Sequence, residues 1–63
     1  MIVTLDGEKT RAAFDGGPIS ELVRLLGLQR EEVLVKVNGK LAPEDAKIGA
    51  KDKIEIIKVV FGG

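Results

Sequence analysis

The stretch from Lys53 to Val60 constrains this chain more than any other. It carries Ile54, Ile56, Ile57, Val59 and Val60, so it reads as a strand that is nearly apolar on both faces. Such a strand belongs inside a sheet, with a neighbour on each side. The whole chain has 63 residues, so those neighbours must be short. A chain of about 60 residues buries only about 60% of the surface its unfolded form exposes, which leaves room for one core. Hydrophobic residues make up 44% of the chain, enough for that core and too many for a disordered segment.

The remaining elements follow from periodicity. Met1 to Asp6 alternates and predicts a first strand, with Met1, Val3 and Leu5 on one face. Asp6-Gly7 suits a tight hairpin. A weaker second strand is expected from Lys9 to Phe14, with Phe14 as its main core residue. Gly16-Gly17-Pro18 reads as a plain turn into a helix, with Pro18 at the first helical position. Ile19, Leu22, Val23 and Leu26 have helical spacing. They predict an amphipathic helix over 19–27, stopped by Gly27, with Leu28 folding back onto its end. Glu31 to Asn38 reads as a third strand, in which Val33, Val35 and Val37 alternate with Leu34 and Lys36. Asn38-Gly39 is the strongest hairpin signal in the chain, with a short fourth strand at Lys40-Leu41. Pro43-Glu44-Asp45 reads as a single helical turn and Lys51-Asp52 as another turn. The expected core is Met1, Val3, Leu5, Ile19, Leu22, Val23, Leu26, Val35, Val37, Ile54 and Ile56.

This order predicts an α+β layer pair. Setting the last strand parallel to the first, in the sheet centre, gives the β-grasp (ubiquitin-like) fold: a mixed sheet of four to five strands with one helix on one face. The expected organisation is a single domain over 1–61 and a flexible tail at 62–63.

Several functions are disfavoured by what the chain lacks. Ten Lys and Arg balance ten Asp and Glu, so direct strong nucleic-acid binding is not expected. With no Cys and no His, there is no thiol nucleophile, disulfide or zinc knuckle, and no metal site is expected. Glu31 and Glu32 diverge as neighbours on a strand, and Glu44-Asp45 read as solvated, capping groups where the helical turn begins. Gly16-Gly17 lacks the Lys-Ser/Thr of a phosphate loop. No apolar run reaches the roughly 18 residues of a membrane span. Met1-Ile2-Val3 shows no basic leader. The expectation is a cytoplasmic, non-catalytic monomer with no membrane contact.

Two features remain. A helix can cover only one sheet face. Leu34, Ile57 and Val59 fall on or near the other, with Lys36 and Lys58 as charged neighbours and Phe61 just beyond. Exposed apolar patches mark interaction sites. Gly62-Gly63 follows. It offers a slender tail without side chains and one reactive group, the Gly63 α-carboxylate. That group is inert until activated, which implies a partner that uses ATP.

With these residues in place, the whole chain resembles the ubiquitin-like sulfur-carrier family. That family includes the thiamine-pathway sulfur carrier, the molybdopterin synthase small subunit and archaeal small modifier proteins. The resemblance rests on the helix Ile19 to Leu26, the stretch Val35 to Asp45 and the end Lys53 to Gly63. It implies a carrier rather than an enzyme. A ubiquitin-activating-type adenylyltransferase would dock on the apolar face, draw in the tail past Gly62, and adenylate Gly63 with its own ATP. No cofactor would be bound by the carrier itself. A sulfur donor of the cysteine desulfurase or rhodanese type would then give a thiocarboxylate for a sulfur-accepting synthase, in thiamine biosynthesis or tRNA thiolation. The alternative is a protein modifier joined through Gly63 to lysines of target proteins. Members resembling the molybdopterin subunit carry Pro-Pro where this chain has Lys58-Val59, which disfavours that branch. The family's Gly-Asp before the last strand is Lys51-Asp52 here. Phe61 stands where a small residue is common, which marks it as a determinant of partner choice.

Overall fold

A computed structural model describes residues 1–59. Strand β1 (Ile2–Leu5) turns through Asp6-Gly7 into β2 (Glu8–Arg11). Both turn residues have positive φ, 49° and 86°, as a two-residue hairpin of right-handed strands requires. β2 is shorter than expected and ends at Arg11. Ala12 and Phe14 still pack inward from the connection that follows.

Gly16–Pro18 forms a short strand, β3, where a plain turn was expected. It pairs antiparallel with β6 (Lys47–Gly49), matching Gly17 to Ile48. The reason is close backbone approach. A Cβ on Gly16 would sit 3.2 Å from the Ile48 carbonyl oxygen, so only glycine fits without displacement. Pro18 is therefore the residue before the helix and not its first turn.

Helix α1 (Ile19–Leu25) has no side-chain cap. Loop carbonyls replace one: the Ile19 N–H donates to Ala46 at 2.9 Å and the Ser20 N–H to Glu44 at 2.9 Å. At the other end Gly27 adopts φ 74°. Its N–H donates to the Arg24 carbonyl, and the Leu28 N–H to the Val23 carbonyl, each at 3.0 Å. This is the paired-bond stop that glycine allows, and it turns Leu28 back onto the core as expected.

Arg30–Glu32 is a 3-10 turn and not the start of a strand. β4 (Val33–Val37) follows, then the Asn38-Gly39 hairpin and β5 (Lys40–Leu41). Pro43 to Ala46 closes as a single reverse turn through Ala46 N–H to Pro43 carbonyl, 3.0 Å, in place of the expected helical turn. β7 (Ile54–Lys58) is the final described strand. Val60, expected in the same strand, lies outside the described residues.

The main sheet has the order β2-β1-β7-β4-β5. β7 runs parallel to β1 and antiparallel to β4, so the most apolar strand is central, with a neighbour on each side. This is the β-grasp arrangement. Val3, Ile19, Leu22, Ile54 and Ile56 are fully enclosed between sheet and helix. Val23 and Val35 are buried with them, and Met1, Leu5, Leu26 and Val37 pack at the margin. Two buried residues, Ala12 and Ile48, lie outside the expected core.

Candidate functional site: the uncovered sheet face

Strand alternation sends successive side chains to opposite faces. Since Val3, Val35, Ile54 and Ile56 face the helix, their strand neighbours face away. The register places these in rows. Leu34 of β4 stands opposite Ile57 of β7. The next row crosses the sheet as Lys9, Thr4, Glu55, Lys36 and Leu41. Beyond it come Arg11 and Ile2, with Lys53 beside them one residue before β7.

The structure therefore brings Leu34, Ile57 and Lys36 onto one surface, as the patch reading expects. Leu34 is 47% exposed, while Ile57 and Lys36 are half-buried. Val59 is half-buried at the margin, and its N–H donates to the Glu32 carbonyl at 2.8 Å, which prolongs the pairing of the two strands.

Lys58 is a correction. It stands opposite Val33 on the helix side, because it shares the parity of Ile54 and Ile56. It lines a groove of about 440 Å³ with Gly27, Leu28, Gln29, Glu32 and Val59. Phe61, Gly62 and Gly63 lie outside the described residues.

Two exposed residues of the face, Ile2 and Leu41, at 56% and 65%, are absent from the expected patch. Alternation against Val3 was a sufficient signal for Ile2. Leu41 sits on a two-residue strand, where no alternation can be read.

The end of β7 is held from the β1–β2 turn. The Asp6 N–H donates to the Ile56 carbonyl at 3.0 Å, and Asp6 Oδ1 accepts the Lys58 N–H at 2.9 Å. The opposite end of the sheet is tied by Asn38, which accepts from the Lys53 N–H at 2.9 Å and donates to Asp52 Oδ1 at 3.1 Å. Asp52 Oδ2 also accepts the Gly49 N–H at 2.8 Å. These two bonds, the backbone one foremost, hold the Asp52 carboxyl below its ordinary value. Lys51 has no positive φ, so this turn does not need the glycine the family commonly has there.

The acidic pairs do not form a site. Glu31 and Glu44 both approach the Arg30 guanidinium, at 3.7 and 3.3 Å, all three well exposed. Among the described residues no three His, Cys, Asp or Glu side chains converge to hold a metal, and no helix is long and apolar enough to cross a membrane. What this surface offers is the apolar Leu34–Ile57 pair at one end of the face, where β7 leads toward Gly62-Gly63, next to a central row of Thr4, Glu55 and Lys36.

The chain matches the model of the ThiS family over residues 2–63. It is 36% identical to small archaeal modifier protein 2 of Haloferax volcanii, over the full length of both. A solved structure of thiamine biosynthesis protein ThiS from Geobacter metallireducens superposes with a TM-score of 0.67, at 26% identity and full coverage of both chains.

Proposed function

Since this chain belongs to the ThiS family of ubiquitin-like sulfur carriers, we propose that it carries sulfur on the carboxyl group of Gly63. The observation that supports this most is the family match, which runs through the terminal Gly62-Gly63 and leaves no segment of the described fold unaccounted for. The uncovered face around Leu34 and Ile57 supplies a docking surface for a ubiquitin-activating-type adenylyltransferase. In that partner a Gly63 carboxylate oxygen attacks the α-phosphorus of ATP, and pyrophosphate leaves. The terminal sulfur of a persulfide then attacks the acyl carbon, and AMP leaves. Cleavage of the resulting S–S bond by a thiol frees the thiocarboxylate. The carrier contributes a carboxylate, a slender approach through Gly62 and a recognition surface. It performs no catalysis itself. Thiamine biosynthesis or tRNA thiolation would consume the sulfur.

The Haloferax volcanii relative, a modifier by name, supports a second reading. The same acyl-adenylate, attacked by a lysine amine of another protein, would give an isopeptide bond. Intact-mass analysis of the protein isolated from its host separates the two. The carrier reading predicts replacement of one oxygen by sulfur at Gly63. Recovery of lysine conjugates without any thiocarboxylate would overturn it in favour of the modifier.

A further inference from the structure

The two edges of the main sheet differ. β2, at one edge, is Glu8-Lys9-Thr10-Arg11, and charged side chains there deter pairing with a further strand. At the other edge β5 covers only Lys36 and Val37 of β4. Val33-Leu34-Val35 runs on uncovered and carries no charge. The Glu32 carbonyl and the Asn38 N–H bond across to Val59 and Lys53. Even-numbered residues of this stretch therefore turn their backbone groups to β7, and odd-numbered ones turn theirs outward. The Val35 carbonyl accepts the Ala42 N–H at 2.9 Å. The Val33 N–H, the Val33 carbonyl and the Val35 N–H have no partner among the described residues.

A cleft of about 210 Å³ opens beside this edge, with Ile19 and Val23 of α1, Val35 and Ala42 as its apolar wall. Small-molecule sites usually enclose about 300–1,000 Å³, so this cleft suits single aliphatic side chains better than a cofactor. Arg30 and Glu44, both well exposed, line it as well and pair at 3.3 Å. Glu31 also lies 3.7 Å from Arg30, so two carboxylates share one cation and negative charge is in excess here. Free backbone donors and an acceptor at a sheet edge select an extended peptide, which adds as a further strand. Alternate side chains of such a strand point into the cleft, and those between them lie beside Leu34.

We propose that the Val33–Val35 edge binds an extended segment of another protein as an added sheet strand, with aliphatic side chains at alternate positions in the cleft and a lysine or arginine at the end nearest Glu31 and Glu44. The backbone bonds hold the segment, the cleft selects its aliphatic residues, and the carboxylates fix its direction. Neither Ile57 nor Gly63 takes part, so occupancy of this edge is independent of whether Gly63 carries sulfur.

The test adds a capped synthetic peptide to the full chain, with valine at alternate positions, threonine between them and lysine at both ends. Amide hydrogen exchange and chemical shifts are followed by NMR. With the peptide at about ten times its Kd, exchange at Val33 and Val35 should slow by about 10-fold, because only the free fraction exchanges. The amide signals of Ile19, Val23 and Ala42 should shift in the same titration. Methylating the valine nitrogens of the peptide removes its donors and should abolish both effects. Glu44→Lys should weaken binding of the lysine-ended peptide and strengthen binding of the same peptide ended in glutamate. The Ser20 N–H bonds to the Glu44 carbonyl and not to its side chain, so the fold should persist. A melting curve checks this, and Glu44→Gln, with loss of lysine-ended binding as its readout, replaces the variant if it fails to fold. Absence of peptide binding, unchanged exchange at Val33 and Val35, or equal binding of the methylated peptide would overturn the proposal. So would exchange at these amides that slows with chain concentration alone, which would assign the edge to a second copy.

Discussion

Leu34 and Ile57 stand directly opposite each other on adjacent antiparallel strands, on the face the helix leaves bare. Leu22 occupies the reverse position in the fold, fully enclosed beneath the same sheet. The contrast separates recognition from stability. Ile57→Ala removes one cross-strand partner and should cost about 0.2–1 kcal/mol of stability, while clearly weakening docking to the activating enzyme. Leu22→Ala should cost about 2–5 kcal/mol and leave the docking surface intact in whatever fraction stays folded. Denaturant titration and binding measurements on both variants check this. Equal destabilisation would place Ile57 in the core.

Ile48 sits on a three-residue strand, yet it is buried. Ile48→Ala should cost about 2–5 kcal/mol, a core-sized loss. A loss below 0.5 kcal/mol, the size of an ordinary surface change (about ±0.5 kcal/mol), would show that the β3–β6 pair carries no part of the core.

That pair also shows where the sequence stops being legible. The central strand, the two Gly-containing hairpins, the helix with its Gly27 stop, and the parallel placement of β7 beside β1 all follow from patterns several residues long. β3 is Gly16-Gly17-Pro18, with no alternation to read. Its partner holds one apolar residue. The two define each other only through a close approach of backbones distant in sequence. The 3-10 turn at Arg30–Glu32 escaped for a similar reason, since three polar residues carry no period. In the candidate site, Leu34, Lys36 and Ile57 were legible by alternation. Lys58 shares the parity of Ile54 and Ile56 and so faces the helix side, although its charge beside Ile57 and Val59 suggests the open face.

Gly27 adopts φ 74° with open space where a Cβ would go. Gly27→Ala should therefore cost about 1–2 kcal/mol from the local clash of a Cβ with its own backbone in this conformation, with no contact to any other part of the fold. Gly27→Asn should recover part of that loss, because Asn tolerates the left-handed region better. Chemical denaturation of the two variants decides. An unchanged stability for Gly27→Ala would mean the helix does not end in this conformation.

Asp52 gives a pH dependence of defined sign. Its bonds to Gly49 and Asn38 lower its pKa from the ordinary 3.8, so the folded state holds this proton less readily than the unfolded chain. The stabilisation is complete above the unfolded value and is lost as pH falls through the lower folded one. Carboxyl shifts followed by NMR should show an Asp52 midpoint below 3.8. Asp52→Asn should lose less stability on acidification than the unaltered chain. A midpoint at or above the ordinary value would contradict the bonding described at this turn.

The central claim is that the Gly63 carboxylate receives the adenylate. ATP–pyrophosphate exchange by the cognate activating enzyme measures that step directly. A chain ending at Gly63 should support exchange. The same chain lengthened by one residue, or shortened by Gly63, should support none, while still folding and still binding through the Leu34–Ile57 face. Undiminished exchange with the lengthened chain would contradict the account.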